Sequence, residues 1–277
     1  MGLRISTNTA AINAQRTMVG SQRQISKSME QLASGSRINK AADDAAGLAI
    51  SENLKSQIRS LGQASRNAND GISMVQTAEG GLNEISNIMT RMRELGVQSA
   101  SDTVSDKERS FTDKEVQQLK AEVQRITQTT KYGTTKLLDG SGDKFDFQVG
   151  INNKEEADRI SFHAGETNAT IDTLGISGFD FTSKKGAQEA LEKIDNAQTQ
   201  VNGYRAGLGA LQNRLQSTVD NLGVQTENIS AANSRIRDTD IAAATADSTR
   251  NQVMLSANTA VLAQANQLPQ QALKLIG

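Results

Sequence analysis

A seven-residue repeat of apolar side chains towards the C-terminal end constrains the fold more than any other feature of this chain. One line of the repeat runs from residue 187 to residue 236, and a second line follows three residues behind it. The first line consists of Ala187, Ile194, Val201, Leu208, Leu215, Leu222, Ile229 and Ile236. Because an a/d heptad keeps one face of a helix turned towards a neighbour, the repeat predicts a long helix packed along another helix.

A second repeat in the N-terminal half predicts the partner helix. Its members, again seven residues apart, are Leu54, Leu61, Ala68, Val75, Leu82 and Met89. Each repeat is long enough for a helix of roughly 70–80 Å at about 1.5 Å per residue, whereas the average globular helix has only about 11–12 residues. The predicted fold class is therefore mainly α, an elongated antiparallel helical bundle or coiled-coil rod, in preference to a globular helical bundle.

Composition argues against several classes of protein. The 30 basic and 31 acidic residues give a net charge of −1, so no basic surface favours nucleic acid. The absence of cysteine excludes disulfides and thiolate metal sites. No segment approaches the roughly 20 apolar residues that span a bilayer, and residues 1–30 lack the apolar core of a cleavable signal. We expect no nucleic-acid partner and no membrane insertion.

No cluster of residues in the sequence is typical of an enzyme. His163 is the only histidine, and on an alternating strand it points away from Phe162, as a solvated residue does. Asp43 and Asp44 adjoin a predicted helix start, where a carboxylate satisfies free backbone N–H groups. We therefore predict that the protein is not an enzyme and that it needs no cofactor and no metal.

The order of these patterns divides the chain into segments arranged symmetrically about its middle. An N-terminal helix with its connector occupies residues 1–44, and a C-terminal helix occupies residues 238–277. The two parts of the rod are residues 45–131 and residues 184–237. Residues 132–183 lie between them, where a chain that runs out and back must turn, so we expect a small β-hairpin region at the distal end of the rod.

Alternating apolar and polar residues predict the strands of this hairpin region. Phe145 and Phe147 alternate with polar neighbours, and so do Ile160 and Phe162. Since successive side chains of a strand point to opposite faces, both runs fit an antiparallel hairpin with one apolar face.

Local signals predict where some of the helices begin or bend. Two capping-box patterns, Ser105 to Glu108 and Thr112 to Glu115, precede an apolar helical face. The second pattern is expected to open the helix. Pro269 is expected to kink the last helix or to weaken one of its turns.

The terminal helices have apolar stripes but, within one subunit, few residues against which to bury them. The residues assigned to these stripes are Ile5, Ile12, Met18, Ile25, Leu32, Met254, Val261, Leu268 and Leu275. Because helices without a packing partner are marginal in water, we expect residues 1–40 and 240–277 to be disordered or weakly helical in the monomer. The stripes predict that these helices associate with copies of the same chain.

Several long motifs stand in an order typical of one protein family. They are Leu32-Ala33-Ser34-Gly35-Ser36-Arg37-Ile38-Asn39, Ala41-Ala42-Asp43-Asp44-Ala45-Ala46-Gly47-Leu48-Ala49-Ile50-Ser51, the run from Asn228 to Ile241, and Ala265-Asn266-Gln267-Leu268-Pro269-Gln270. In these motifs the chain resembles bacterial flagellin, the subunit of the flagellar filament, over about residues 1–138 and 184–277. Family members usually carry a variable outer region mid-chain, and only residues 132–183 occupy that stretch here, so the resemblance implies a short form.

The resemblance implies a secreted, extracellular subunit that polymerises with itself for swimming motility. In the assembled filament the terminal helices would pair in the inner core, surrounded by the long helices. It further implies unfolded export through the flagellar type III apparatus, contacts with flagellar cap and hook-junction proteins, and an export chaperone at the C-terminal helix. A hook–filament junction protein and a secreted helical spacer or adhesin are the alternatives.

The resemblance also implies a contact with Toll-like receptor 5 through Arg91, Leu95 and Glu115. Packing in the filament is an equally good explanation of the same residues, since Arg91 and Leu95 are four residues apart on a predicted helix. Two departures from the family pattern concern other positions. The family often has Phe-Asn-Gly where this chain has Tyr132-Gly133-Thr134, and an acidic residue is usual where Ala242-Ala243-Ala244 follow Ile241.

Overall fold

Six helices and four short strands make up the part of the chain that the computed structural model describes, residues 7–276, with side chains described for residues 7–267. The helices are α1 (Thr9–Ser34), α2 (Ala45–Ser99), α3 (Asp106–Thr129), α4 (Glu155–Asp158), α5 (Lys184–Arg237) and α6 (Ile241–Ile276). The strands are β1 (Lys131–Tyr132), β2 (Thr135–Lys136), β3 (Lys144–Gln148) and β4 (Arg159–His163). A 3-10 turn at Ala164–Glu166 follows β4. The mainly α fold class is confirmed.

The described chain divides into two compact units. One contains the described residues up to residue 57 together with those from residue 228 onwards, and the other consists of residues 58–227. We refer to them as the terminal unit and the central unit. The terminal unit contains all of α1 and α6, and the central unit contains α3, α4 and all four strands.

The core of the central unit is formed where α2 and α5 run antiparallel. Side chains link the two helices at Arg93 with Asp195 (2.6 Å) and at Ser86 with Gln198 (2.8 Å). Because the residue number falls along α2 as it rises along α5, the helices run in opposite directions. The heptad residues within this unit are buried, namely Leu61, Ala68, Val75, Leu82 and Met89 on α2 and Ala187, Ile194, Val201, Leu208, Leu215 and Leu222 on α5.

The ends of both heptad lines are less buried than their middles. Leu54 on α2 and Ile229 and Ile236 on α5 are half-buried, and all three belong to the terminal unit. The middle of each heptad line therefore contributes to the core of the central unit, and one end of each line belongs to the terminal unit.

The predicted hairpin is present, and its apolar face joins the core of the central unit. Strand β3 pairs with β4 in antiparallel register, with Phe145 opposite Phe162 and Phe147 opposite Ile160. The rings of Phe145 and Phe162 are stacked with centroids 6.3 Å apart. His163 lies on the opposite face and is exposed, as alternation predicts.

The short β1–β2 hairpin explains one departure from the family pattern. Gly133 has a φ of +60°, a left-handed conformation that glycine adopts without a steric penalty. The turn Tyr132-Gly133-Thr134 therefore has the residue that its backbone requires, and Lys131 pairs with Lys136 across it.

The predicted helix start at Thr112 is wrong. Helix α3 begins at Asp106 with a complete capping box, in which the amide of Ser105 donates to Glu108 (2.8 Å) and the amide of Glu108 donates to the hydroxyl of Ser105 (3.4 Å). Once this first turn is formed, adding further residues is favourable, so the helix continues through the second pattern. The hydroxyl of Thr112 donates instead to the carbonyl of Glu108 inside the helix (3.3 Å).

The carboxylates predicted at the start of α2 have separate roles. Asp44 caps the helix by accepting from the amide of Gly47 at 2.8 Å. Asp43 accepts from the amides of Asn39 and Lys40 and so closes the connector that precedes the helix. At the other end of the chain, α6 is one helix from Ile241 to Ile276 and includes Pro269. The side chain of Pro269 lies outside the described side chains, so the predicted kink stays a prediction.

Candidate self-assembly surface

Helices α1 and α6 pack against each other, and the described residues that they bury fully are small or polar. On α1 the buried residues are Ala14, Ser21 and Ser28, which are seven residues apart. On α6, as far as its side chains are described (residues 241–267), the buried residues are Ala244, Ser248, Asn251 and Ala265. We call these seven residues the small-residue seam. Side chains of this size let two helices approach closely but remove little apolar surface from water.

Polar contacts at the helix ends hold the register of this pair. The side chain of Asn8 caps α1 by accepting from the amide of Ala11 (3.0 Å), and its amide group donates to the carbonyl of Ala265 on α6 (2.8 Å). Asp240 caps α6 by accepting from the amide of Ala242 at 2.9 Å. One residue thus both starts α1 and ties it to α6.

The two connectors of the terminal unit are joined by backbone hydrogen bonds. Ser36 and Asp238 form an isolated antiparallel bridge. The amide of Arg37 donates to the carbonyl of Arg237 at 2.6 Å, and the amide of Thr239 donates to the carbonyl of Gly35 at 2.9 Å. The segment between α1 and α2 therefore meets the segment between α5 and α6, and the bridge places α1 and α6 side by side.

Ion pairs tie α1 to the connector that follows it. The carboxylate of Asp43 lies 3.0 Å from the ammonium group of Lys27, and hydrogen bonding from Lys27 lowers the pKa of Asp43. Lys40 pairs with Glu30 at 2.7 Å, and hydrogen bonding to Glu30 raises the pKa of Lys40. Both pairs favour the charged forms that hold the connector against the helix.

Large apolar side chains of the terminal helices remain exposed. They are Ile12, Val19 and Met29 on α1 and Ile241, Val253, Met254 and Val261 on α6. We call these residues the exposed apolar set. Ile12 is 57% exposed and Val253 is 64% exposed, although side chains of this kind are usually buried. Each terminal helix thus fully buries only small or polar residues within the described chain, while large apolar side chains are either half-buried or exposed.

The residues predicted for the filament core are distributed over both faces. Ile12, Met254 and Val261 are exposed, whereas Met18, Ile25 and Leu32 are half-buried beside the small-residue seam. Ile5 lies outside the described residues, and Leu268 and Leu275 lie outside the described side chains. The prediction that the apolar stripes have few residues to bury against within one chain is corrected for Met18, Ile25 and Leu32, which are half-buried on the face that carries the small-residue seam.

The sequence does contain a signal for the seam that an apolar search misses. Ala14, Ser21 and Ser28 repeat at the same spacing as the large residues, and so do Ala244 and Asn251. A search for small residues at heptad spacing would have identified the seam.

The residues predicted to contact a receptor lie in the central unit, and two of them are joined. Arg91 on α2 donates to Glu115 on α3 through two nitrogens, at 3.1 and 3.0 Å, and to Glu94 at 3.1 Å. The side chains of Arg91 and Glu115 are about half exposed, and hydrogen bonding to Glu115 raises the pKa of Arg91. Leu95 is only 4% exposed and packs into the core, so it presents no side-chain surface.

Two further observations concern metal binding and insertion into a membrane. Among the residues that the structure describes, no three histidine, aspartate or glutamate side chains lie close enough together to hold a metal ion. Within the same residues, every helix falls short of the combined length and apolarity required to cross a bilayer.

Family models match most of the chain. The model of the bacterial flagellin N-terminal helical region matches residues 5–143, and that of the bacterial flagellin C-terminal helical region matches residues 191–276. A flagellin of Halalkalibacterium halodurans is 45% identical over 272 residues, an alignment that covers 98% of this chain and 99% of that protein.

Solved structures agree with the fold. The crystal structure of a Bacillus cereus flagellin has a TM-score of 0.51 and 28% identity, and the match covers 61% of this chain and 94% of that chain. A flagellar hook-associated protein of Vibrio parahaemolyticus has a TM-score of 0.58 over 71% of this chain and all of that chain, but at 15% identity it shows the fold alone. Since both family models and a relative aligned over nearly its whole length agree, the chain belongs to the bacterial flagellin family, as a short member of it.

Proposed function

We propose that this flagellin polymerises through its exposed apolar set, which neighbouring copies of the same chain cover. Membership of the family makes the protein a structural subunit of the flagellar filament, outside the cell. What we add is the assignment of the contact to particular side chains of α1 and α6. The observation that supports it is the exposure of Ile12, Val253 and Val261 on helices whose fully buried described residues are small or polar.

The energetic argument compares the two faces of the terminal helices. Full burial of a valine, leucine, isoleucine or methionine side chain contributes about 1.5–3 kcal/mol. The fully buried residues of the seam, such as Ser21, Ser28 and Ser248, are small or polar. The large apolar residues on the same faces, Met18, Ile25, Leu32, Leu255 and Leu262, are only half-buried. Covering the exposed apolar set therefore adds apolar burial that the isolated chain lacks, and a second copy of the chain presents the same apolar residues.

This difference supports coupled ordering of the chain ends. A helix pair whose large apolar side chains are at most half-buried is marginal, because ordering each residue costs about 1–2 kcal/mol of backbone entropy. We propose that residues 1–40 and 240–277 reach full order only when neighbouring subunits add apolar burial. Growth of the filament and ordering of the termini are then one process.

Isosteric substitution on α6 tests the proposed surface. Val253→Thr and Val261→Thr keep the shape of each side chain but place a hydroxyl on the covered face. The double variant should add to filament seeds several-fold more slowly than the wild type, as measured by sedimentation of polymer over time. The matched control is Val224→Thr on α5, since Val224 is an exposed valine of the central unit.

The outcomes of this experiment separate the proposed surface from its rivals. Normal elongation of the double variant would contradict the assignment. Equal loss in Val224→Thr would show that the contact is not confined to the terminal helices. A wild-type protein that never extends a seed would favour a hook–filament junction protein. Binding to cells or surfaces without polymerisation would favour a secreted helical spacer or adhesin.

We further propose that the ion pair of Arg91 with Glu115 is the part of the central unit that Toll-like receptor 5 contacts. The family resemblance suggests the receptor, and the exposure of both side chains supports the assignment. Leu95 acts beneath them by packing, because it belongs to the core. Contacts with cap proteins, hook-junction proteins and an export chaperone, and export by the type III apparatus, stay predictions.

Arg91→Ala tests the receptor proposal without disturbing the fold. An exposed ion pair contributes only about 0–1 kcal/mol, so the variant should stay folded. Receptor-dependent signalling by the monomer should fall several-fold. Arg66→Ala is the matched control, since Arg66 is an exposed arginine on the same helix that bonds only Gln63 among the contacts described. Unchanged signalling by Arg91→Ala would remove the proposal.

A further inference from the structure

The methionines of this chain fall into two groups of different exposure. Met74, Met89 and Met92 lie in the core of the central unit and are at most 2% exposed. Met29 on α1 is 50% exposed and Met254 on α6 is 46% exposed, and both belong to the exposed apolar set. Methionine is a polarisable side chain that is readily oxidised when a reagent reaches its sulfur. The two groups therefore differ in access to an oxidant.

We propose that Met29 and Met254 are oxidation sites for hydrogen peroxide in the free subunit, and that sulfoxide at these positions stops the subunit from polymerising. This inference rests on the proposed function, because it requires that neighbouring copies cover the exposed apolar set. It adds a modification that regulates that surface.

The chemistry needs only the thioether and the peroxide. The Sδ lone pair attacks one peroxide oxygen, an S–O bond forms, the O–O bond breaks, and after proton transfer water leaves. The sulfur loses two electrons and the peroxide gains them, so one methionine and one peroxide give one sulfoxide and one water. No metal and no enzyme is required for this step, whereas methionine sulfoxide reductases reverse it.

The product changes the surface that has to be covered. A sulfoxide is a polar hydrogen-bond acceptor, and burying it against an apolar neighbour without a donor costs free energy. The unmodified thioether favours the same burial because it is apolar. Oxidation therefore changes the free energy of burying residues 29 and 254 from favourable to unfavourable. The core methionines remain unchanged inside the central unit.

Met18 supplies an internal comparison of intermediate exposure. It lies on the seam face of α1, four residues after Ala14 and three before Ser21, and is half-buried. Its oxidation should be slower than that of Met29. Met1 lies outside the described residues and is retained in every variant, so its contribution is the same throughout.

The first experiment maps oxidation on the full chain. The monomer is treated with hydrogen peroxide, and peptide mass spectrometry follows sulfoxide at each methionine over time. Met29 and Met254 should be oxidised several-fold faster than Met74, Met89 and Met92. In filaments assembled before treatment, the rates at Met29 and Met254 should fall several-fold. Equal rates at all methionines of the monomer, or unchanged rates in the filament, would overturn the inference.

The second experiment measures seeded elongation after the same treatment. Oxidised wild-type monomer should lose most of its elongation and recover it after incubation with methionine sulfoxide reductases. For Met29→Leu with Met254→Leu, a swap that conserves volume and apolarity, the elongation rate after peroxide treatment should equal the rate of the same variant before treatment. The control Met89→Leu keeps both exposed methionines and should remain sensitive. Peroxide inhibition that persists in the double variant would overturn the inference.

The two sets of experiments distinguish failure of this inference from failure of the proposed function. If the Val253→Thr and Val261→Thr variant elongates normally, the proposed surface is wrong and the inference fails with it. If that variant is defective while fully oxidised wild type elongates normally, the surface stands and only the role of the two methionines is refuted.

Discussion

Lys120 is a charged residue on the buried face of α3, between Val116 and Val123. It is 4% exposed, and its ammonium group donates to the carbonyls of Phe179 and Ser177 while lying 4.0 Å from the centroid of the Phe179 ring. Burial lowers its pKa, and the nearby carboxylates of Asp113 and Asp180 oppose that shift. The side chain thereby fixes the loop that leads into α5.

Replacing this lysine tests whether its hydrogen bonds stabilise the central unit. Lys120→Met keeps the length of the side chain but leaves two carbonyls without their donor, which should cost about 1–3 kcal/mol. The melting temperature of the central unit, followed by circular dichroism, should fall. Lys107→Met, at an exposed lysine in the first turn of the same helix, should change it little. Equal effects of both substitutions would contradict the assignment.

At the scale of elements, the packing of α1 on α6 depends on the size of the side chains between them. Ser28 is 2% exposed in the seam, whereas Ser26, two residues earlier, is exposed. Residues two apart on a helix point to different sides, so the two serines separate the seam from the outer face. Small residues are needed only on the seam side.

Substituting these two serines separately tests the seam. Ser28→Leu should destabilise the α1–α6 pair, because overpacking a close contact costs about 1–3 kcal/mol. Amide hydrogen exchange in α1 should become faster, and elongation on seeds should slow. Ser26→Leu makes the same change on the exposed side and should leave exchange in α1 nearly unchanged. Faster exchange in both variants would show that the effect is not specific to the seam.

At the scale of the whole molecule, the central unit has a core of its own. The buried cluster from Ala68 to Leu215 includes residues of α2, α3, α5 and the β3–β4 hairpin. None of its members belongs to α1 or α6. The central unit is therefore expected to keep its fold when the terminal helices lose theirs.

Deleting residues 243–277 tests this separation. The truncated protein should remain soluble and keep a cooperative thermal transition for the central unit, because its core is intact. It should not polymerise, since it lacks most of α6 and leaves the seam residues of α1 without a partner. Circular dichroism and seeded sedimentation measure the two properties. Filaments formed normally by the truncated protein would refute the proposed mechanism.

The sequence by itself determined the long helices, their pairing and the family. Heptad spacing is a property of the sequence, and it identifies the side of a helix that must be covered. Leu82 and Leu208 lie on that side and are buried. Alternation likewise placed Phe145 and Phe162 on one face of a hairpin. Both patterns depend on residues that are close together in the sequence, so they can be recognised from the sequence alone.

Only the tertiary structure decided which face of each terminal helix is covered within the chain. Large apolar residues lie on more than one face of these helices, so hydrophobicity alone does not identify the covered face. The approach of α1 and α6, set by the bridge between Ser36 and Asp238 and by the contact from Asn8 to Ala265, covers the face that carries the small-residue seam and leaves Ile12 exposed. The burial of Lys120 has the same origin, since its partners are carbonyls far along the chain. Local sequence patterns show which faces of a helix favour burial, but the packing of the elements in three dimensions decides which of those faces is buried.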